Sequence, residues 1–565
     1  MANNFEIGSV PLDVDLVVKL AETIPESMHF TISKKAKDKV EKSHKLVESA
    51  TSKGLVIYGV NTGFGSQAER AISSGDVELL QRYLILSHSV GVGEPLKPEM
   101  VRAAMIIRIN TLANGNSGVS IRTLETMVEM LNRGVVPYVP SKGSVGASGD
   151  LAPLSHIALV FTKDPRAEIS AKEEKIAGKV KRGEQLMESE RQFCLKQSGE
   201  AYFFVNGEYQ KMTGVEAMAK VGIRRIVLGA KEGLALNNGA TVSAAIASFV
   251  IHYAKIIAHT ANLVASISTE ALSGFESAFY DQIHTKRGHS GQIEVASEIR
   301  RYLQGSELVA HIKQIQNSDN VMKEFGKVQD SYSIRCIPQV HGPVIDAIAY
   351  AEGILNREIN AVTDNPIVFS ESPFKNKFFS GGNFHGEYIS SSMDFVANSL
   401  GILGNISERR VFKLITSGIS EGLPELLVDP SKGKNGLMNG AMLLQYTAAA
   451  LASENKALSF PASADSIPTS ENREDHVSMS PIAARKAYQV LENTKQILAI
   501  ELWCAIVALG FRIKLSGKKA SAAANAMLKK LESVIPDFNE DRVTYDEISK
   551  LSSMIGNGEI SLNLR

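Results

Sequence analysis

Cysteine is scarce in this chain: Cys194, Cys336 and Cys504 are the only three in 565 residues. So few thiols build no disulfide framework, and a reducing compartment, the cytoplasm, is expected. Net charge is missing too, since 61 Lys and Arg balance 61 Asp and Glu. A balanced chain draws no partner by bulk charge, which speaks against nucleic acid and against an acidic membrane surface. The opening residues, MANNFEIGSVPLDVDL, carry no basic stretch followed by an apolar one, so no secretory leader is expected. Long apolar runs are lacking as well. The longest uncharged run near the middle, residues 233–254, contains Asn237, Asn238, Thr241, Ser243 and His252. It reads as a loop entering a buried helix, because a membrane span wants about 20 predominantly apolar residues. No P-loop, GxGxxG, HExxH or CxxC pattern occurs, and the usual handles for nucleotide and zinc sites go with them. No metal, nucleic acid or membrane partner is expected.

What is present has the balance of a globular protein, 44% hydrophobic and 22% charged, long enough to bury several cores. Helical spacing of apolar residues covers 15–24, 33–52, 76–90 and 98–114. From Val135 the text turns to short extended pieces and a dense Gly/Ser loop that ends at Asp150, a candidate N-cap for the helix that follows. Residues 165–212 read as a solvated charged excursion carrying a hairpin, because Asn206-Gly207 between β-rich runs favours a type I′ turn. It looks like an elaboration on the fold. Beyond residue 231 the pattern is strongly helical, over roughly 240–271, 340–359, 386–416, 438–459 and 479–513. The expected fold is therefore mainly α: a long central helix bundle at 231–565, with a mixed α/β N-terminal part at 1–230 carrying the Gly/Ser loop. Helices this long expose more apolar face than one chain readily covers, so self-association is expected.

The most unusual text is Gly143-Ser144-Val145-Gly146-Ala147-Ser148-Gly149-Asp150. Alone, Ala-Ser-Gly reads as a flexible loop capping a helix. The wider string GSVGASGDLAPLSH resembles the aromatic amino acid ammonia-lyase and aminomutase family, in which Ala-Ser-Gly cyclises to a 4-methylidene-imidazol-5-one electrophile (MIO). The chemistry accounts for the residue types. The Gly149 nitrogen must attack the Ala147 carbonyl carbon through a sharp turn that glycine permits. Ser148 supplies a hydroxyl that can leave as water. The resemblance covers nearly the whole chain, through YGVNTGFG at Tyr58, LALNNG at Leu234, QDSYSIRCIPQVHG at Gln329, TDNP at Thr363, GGNFHGEY at Gly381, SENKAL, and EDHVSM at Glu474.

That resemblance implies an elimination of ammonia from an α-amino acid, in a homotetramer whose active sites each draw on three chains. It makes Tyr58 the base for the β-proton, a role typically worth about 10²–10⁴-fold. It makes Arg335 the carboxylate clamp, which its bidentate fork suits. Asn238 and Tyr332 match positions that hold the electrophile, and Gln329 and Phe384 match positions lining the pocket. Family members that act on histidine show Ser-His after the YLIL segment, as Ser87-His88 does here. Met442 stands where plant-type phenylalanine enzymes carry lysine. Glu474 matches a carboxylate facing the substrate. The substrate implied is L-histidine and the product trans-urocanate. Deamination of tyrosine or phenylalanine and amine migration by an aminomutase stay open, since the catalytic set is shared. The chain departs from the family in having Asn237 before the key asparagine and Ala240 two places after it.

Other classes fare worse on the residues. Gly418-Ile419-Ser420-Glu421-Gly422 fits the GxSxG of a hydrolase elbow, yet the text before it is helical in spacing. His156, His341, His385 and His476 lack metal-ligand spacing. A non-catalytic binding or structural protein on the same fold is the remaining alternative.

Overall fold

The computed structural model describes residues 3–432, 436–536 and 540–560. The fold is mainly α, as expected, with every strand six residues or shorter among the described residues. The predicted helices form close to their expected bounds, including Thr241–Ala271, Ile337–Glu358, Glu387–Ile415, Met442–Leu458 and Ser480–Ser516. Thr241–Ala271 and Ser480–Ser516 reach the length and hydropathy of a membrane span, but 78% and 67% of their apolar windows are buried inside the fold.

The chain divides into two compact units. The first comprises Met1–Phe249, Glu352–Met393 and Pro461–Arg485; the second comprises Val250–Ala351, Asp394–Phe460 and Lys486–Arg565.

In the first unit the helix Pro98–Ala113 is buried on every side from Met100 onward. Such a helix can hold charge only if each donor finds a partner. Arg102 donates to Ala21 O at 2.9 Å and Thr23 O at 3.0 Å, satisfying carbonyls at the end of the helix Val14–Glu22. Arg108, one turn and a half further along, donates to Thr363 O and Ala235 O. The Asn206-Gly207 turn forms as predicted, with both residues at positive φ between antiparallel strands Glu200–Val205 and Glu208–Thr213.

The charged stretch around that hairpin is more than a solvated elaboration. The strand Glu200–Val205 pairs with Val135–Pro137, and Ile176, Cys194 and Val215 form a small core of their own. Arg225 is paired with Glu173, both buried, and Arg82 donates to Gln197 O at 2.6 Å. The other charged side chains of residues 166–191 stay exposed or half-buried, as composition suggests for a solvated face.

In the second unit Arg410 and Glu501 form a two-pronged pair of 2.6 and 2.9 Å with both side chains fully buried. Ser268 and Ser407 hydroxyls donate to the same carboxylate at 2.8 and 2.6 Å. His341 donates from Nδ1 to Asn262 Oδ1 at 2.7 Å, and burial beside Arg410 holds its pKa well below the ordinary value. That histidine is a neutral structural hydrogen-bonder. Ser420 is buried, follows a helix, and donates to Leu423 O at 3.3 Å, so no hydrolase elbow is present there.

Candidate active site

Three segments of the first unit meet at the Gly/Ser loop. The loop lies between the strand Pro140–Lys142 and the helix Leu151–Phe161. Gly239 N donates to Ser148 O at 3.0 Å and Asp150 N donates to Gly239 O at 2.8 Å, a short parallel bridge. From the third segment, Met479 N donates to Val145 O at 2.9 Å and Ser478 Oγ to Gly146 O at 3.1 Å. The approach is too close for side chains. A Cβ on Gly149, at φ +77°, would sit 2.1 Å from the Gly239 carbonyl carbon, and one on Gly239 would sit 2.2 Å from Thr363 O. Both positions require glycine.

Asp150 does not cap its own helix. Its carboxylate accepts Ser243 N at 2.7 Å and Ser243 Oγ at 2.9 Å, and so caps the helix Thr241–Ala271 instead. Burial drives its pKa up from 3.8 to about 6, against these bonds and the Arg108 charge. Burial and the nearby Asp150 push Glu358 up to about 7. A carboxyl whose pKa is raised in the folded state binds protons more tightly there than in the unfolded chain, so its contribution to stability falls as pH rises between the two values. Replacing Asp150 with asparagine is expected to remove that slope. Relative to wild type, the variant should gain on the order of 3 kcal/mol as pH rises from about 4 to about 7, read from urea midpoints across that range.

Of the residues that the sequence singles out, the first unit brings Tyr58, His88, Ala147, Ser148, Gly149, Asn238, Phe384 and Glu474 into one body. Asn238 Nδ2 donates to Ser148 O at 3.3 Å, while its buried Oδ1 has no protein partner. The atypical Asn237 anchors the turn by donating to Ser155 Oγ at 3.0 Å, in the helix after the loop. Glu474 Oε1 accepts the Ser148 hydroxyl at 2.7 Å, and Oε2 accepts Thr469 Oγ1 at 2.7 Å. The sequence reading placed this carboxylate against a substrate; its contact with the tripeptide is a finding of the structure.

Glu474 acts electrostatically on both neighbours. Tyr58 is held above its usual pKa by burial, with a hydrogen bond to the Gly65 backbone opposing and the Glu474 charge adding. That direction disfavours the phenolate near neutral pH. Burial lowers the pKa of His88, against a backbone hydrogen bond with Leu84 and the Glu474 charge. The imidazole closes the helix Val77–His88 in its neutral form, with Nδ1 3.0 Å from Ser87 Oγ. Phe384 is half-buried, and the ring of the adjacent His385 lies 5.8 Å from that of His476, two residues beyond Glu474.

Gln329, Tyr332, Arg335 and Met442 belong to the second unit. Arg335 donates from Nε to Asp330 O at 2.9 Å and lies 4.5 Å over the Tyr332 ring. Tyr332 itself is 70% exposed. The segment that carries them is tied down by Asp330, whose buried carboxylate accepts Phe275 N at 2.6 Å and pairs with Lys327 at 2.7 Å. Met442 is half-buried and begins the helix Met442–Leu458. A cavity of about 520 Å³ in this unit, lined by Phe275, Phe325 and Lys327 among others, takes in none of the predicted site residues. Sequence reasoning missed Asp330 and Thr469. Asp330 bonds a residue 55 positions away, which no local pattern marks. Thr469 lies five residues before Glu474, in a loop without periodicity.

The arrangement can hold the imidazolone group. Its three residues sit in a glycine-permitted turn, the departing hydroxyl already has a carboxylate partner, and Asn238 offers an unused acceptor.

Comparison with known proteins places the chain. The aromatic amino acid lyase family matches residues 12–533. The chain is 42% identical to the histidine ammonia-lyase of Caldanaerobacter subterraneus subsp. tengcongensis over 549 residues, covering 97% of this chain and 96% of that protein. Among solved structures it is similar to histidine ammonia-lyase from Trypanosoma cruzi, at TM-score 0.82 and 34% identity over 99% of this chain and 94% of that one. It is as similar to tyrosine aminomutase from Streptomyces globisporus, at TM-score 0.85 and 32% identity over the whole of both chains.

Proposed function

The chain belongs to the aromatic amino acid lyase family, a carbon–nitrogen lyase by that membership, and from that premise we propose that it eliminates ammonia from L-histidine to give trans-urocanate. The observation that carries the substrate choice is the convergence of His88 and Glu474. The Glu474 carboxylate lies beside Ser148 and within electrostatic reach of the His88 imidazole. Together they offer a donor and an acceptor to an imidazole ring, and little to a bare phenyl ring.

Ala147, Ser148 and Gly149 would form the MIO group, which supplies an electrophile for the substrate amine without any external cofactor. The remaining tasks fall to side chains. Tyr58 takes the β-proton at its phenolic oxygen once a cation lowers its pKa. Asn238 holds the loop through Ser148 O. Arg335 binds the substrate carboxylate through the guanidinium nitrogens not spent on Asp330 O. Gln329, Tyr332, Phe384 and Met442 line the pocket.

The assembly proposed is a cytoplasmic homotetramer, with sites completed by neighbouring chains. Its support is the exposed aromatic surface, Tyr332, Tyr350, Phe395 and Phe412 among it, which a lone chain leaves in water. Sedimentation of an active monomer would contradict it.

The deciding experiment is separate incubation with L-histidine, L-tyrosine and L-phenylalanine, followed by absorbance for urocanate, coumarate and cinnamate. Urocanate should form fastest. A faster rate on either other substrate overturns the assignment, and a β-amino acid as main product would make the protein an aminomutase, the alternative that the Streptomyces globisporus likeness keeps in view.

A further inference from the structure

Glu474 is held against the one oxygen that the tripeptide must lose from a side chain. Its Oε1 lies 2.7 Å from Ser148 Oγ, and Thr469 Oγ1 fixes the other carboxyl oxygen at 2.7 Å. The backbone keeps it there. Thr469 and Glu474 exchange N–H···O bonds of 3.0 and 3.3 Å, and the residues after Glu474 bond to Val145 O and Gly146 O of the Ser148 loop.

We propose that Glu474 is the general acid that expels the Ser148 hydroxyl as water when Ala147-Ser148-Gly149 is converted to the electrophile. The role rests on the reading above and precedes turnover. Two waters leave in that conversion. The first takes the Ala147 carbonyl oxygen and the amide hydrogens of Ser148 and Gly149, as the Gly149 N–Ala147 C bond forms and C=N replaces C=O. The second takes Ser148 Oγ. The Glu474 carboxylate, which accepts from Ser148 Oγ at rest, first takes up a proton from water. The Cα–H electron pair then becomes the exocyclic C=C bond, the Cβ–Oγ bond breaks, and the oxygen departs with its own hydrogen and the proton carried by Glu474. The Cα proton passes to water, the carboxylate is regenerated, and nothing is oxidised or reduced. Hydroxide is a poor leaving group near neutral pH, and a positioned acid typically contributes about 10²–10⁴-fold.

The test reads maturation by mass and needs no turnover. Wild type, Glu474→Gln and Glu474→Asp are purified alike, checked for folding by thermal unfolding, incubated, and digested at intervals. The mass of the peptide spanning Ala147–Gly149 is then followed. The wild-type peptide should lack two waters from the start. The glutamine variant can still accept from Ser148 but has no proton to give, and should process at least about 10²-fold more slowly. The aspartate variant keeps an acid one methylene shorter and should process at an intermediate rate that falls as pH rises. A glutamine variant fully dehydrated at the first time point overturns the proposal. Equal failure of both variants overturns it too, since reach and not the proton would then decide. Should the glutamine variant fail to fold, the pH profile of the aspartate variant decides, and a flat profile overturns the proposal. A wild-type peptide of unmodified mass instead sinks the parent reading, a result distinct from all of these.

Discussion

Replacing Ser148 with alanine is expected to yield a folded protein with at least about 10³-fold less activity on L-histidine, because a methyl group cannot leave as water and no exocyclic methylene can form. The folding side of that expectation follows from the contacts. Ser148 Oγ makes one described bond, to Glu474, worth about 0.5–1.5 kcal/mol net. Every other described contact of Ser148 runs through backbone atoms that alanine keeps: Ser148 O receives Gly239 N and Asn238 Nδ2, and Gly149 stays a glycine. The freed Glu474 keeps its Thr469 partner. The check has two readouts. Thermal unfolding should differ from wild type by a few degrees at most, and the peptide spanning Ala147–Gly149 should carry its unmodified mass. Full activity in the variant, or an unmodified peptide in active wild type, would remove the imidazolone from the account.

The contrast between what the sequence predicts and what it misses follows from the range over which each feature is encoded. The helices Thr241–Ala271 and Ser480–Ser516 were legible because apolar spacing is a local property, repeated many times within one segment. The Asn206-Gly207 turn was legible because two residues suffice to set it. The candidate site was legible only through resemblance, since Tyr58, Ser148, Asn238 and Glu474 lie on segments far apart in the chain. Its supporting contacts were not legible at all. Asp150 read as a cap for the next helix, where its carboxylate points at Ser243, 93 residues on. Glu474 meets Ser148 across 326 residues. In the charged stretch at 165–212 most charged side chains face solvent, as composition suggests, but nothing in composition reveals that Glu173 is buried against Arg225. Pairing of this kind is decided by tertiary packing, and a buried charge is tolerable only once its partner is in place.

On the proposed reading, substrate choice turns on His88. His88 ends its helix with Nδ1 at Ser87 Oγ, and burial holds its pKa below 6.5, so the ring stays neutral and can both donate and accept near pH 7. Exchanging Ser87-His88 for Phe-Leu removes the imidazole and the hydroxyl that orients it. A site built to hydrogen-bond its substrate loses up to about 10⁴–10⁵-fold when that match fails, whereas apolar fit discriminates by only about 1–3 kcal/mol. The exchange should therefore lower kcat/KM for L-histidine by at least about 10²-fold. It should raise that for L-phenylalanine by no more than about 10-fold, because Glu474 still presents a carboxylate and Met442 is unchanged. Initial rates of urocanate and cinnamate formation measure both. The peptide mass at Ala147–Gly149 should match wild type, since neither exchanged residue bonds to the tripeptide among the described contacts. Unchanged histidine turnover after the exchange would mean that the ring is recognised elsewhere, and the substrate assignment would then have to stand on Glu474 alone.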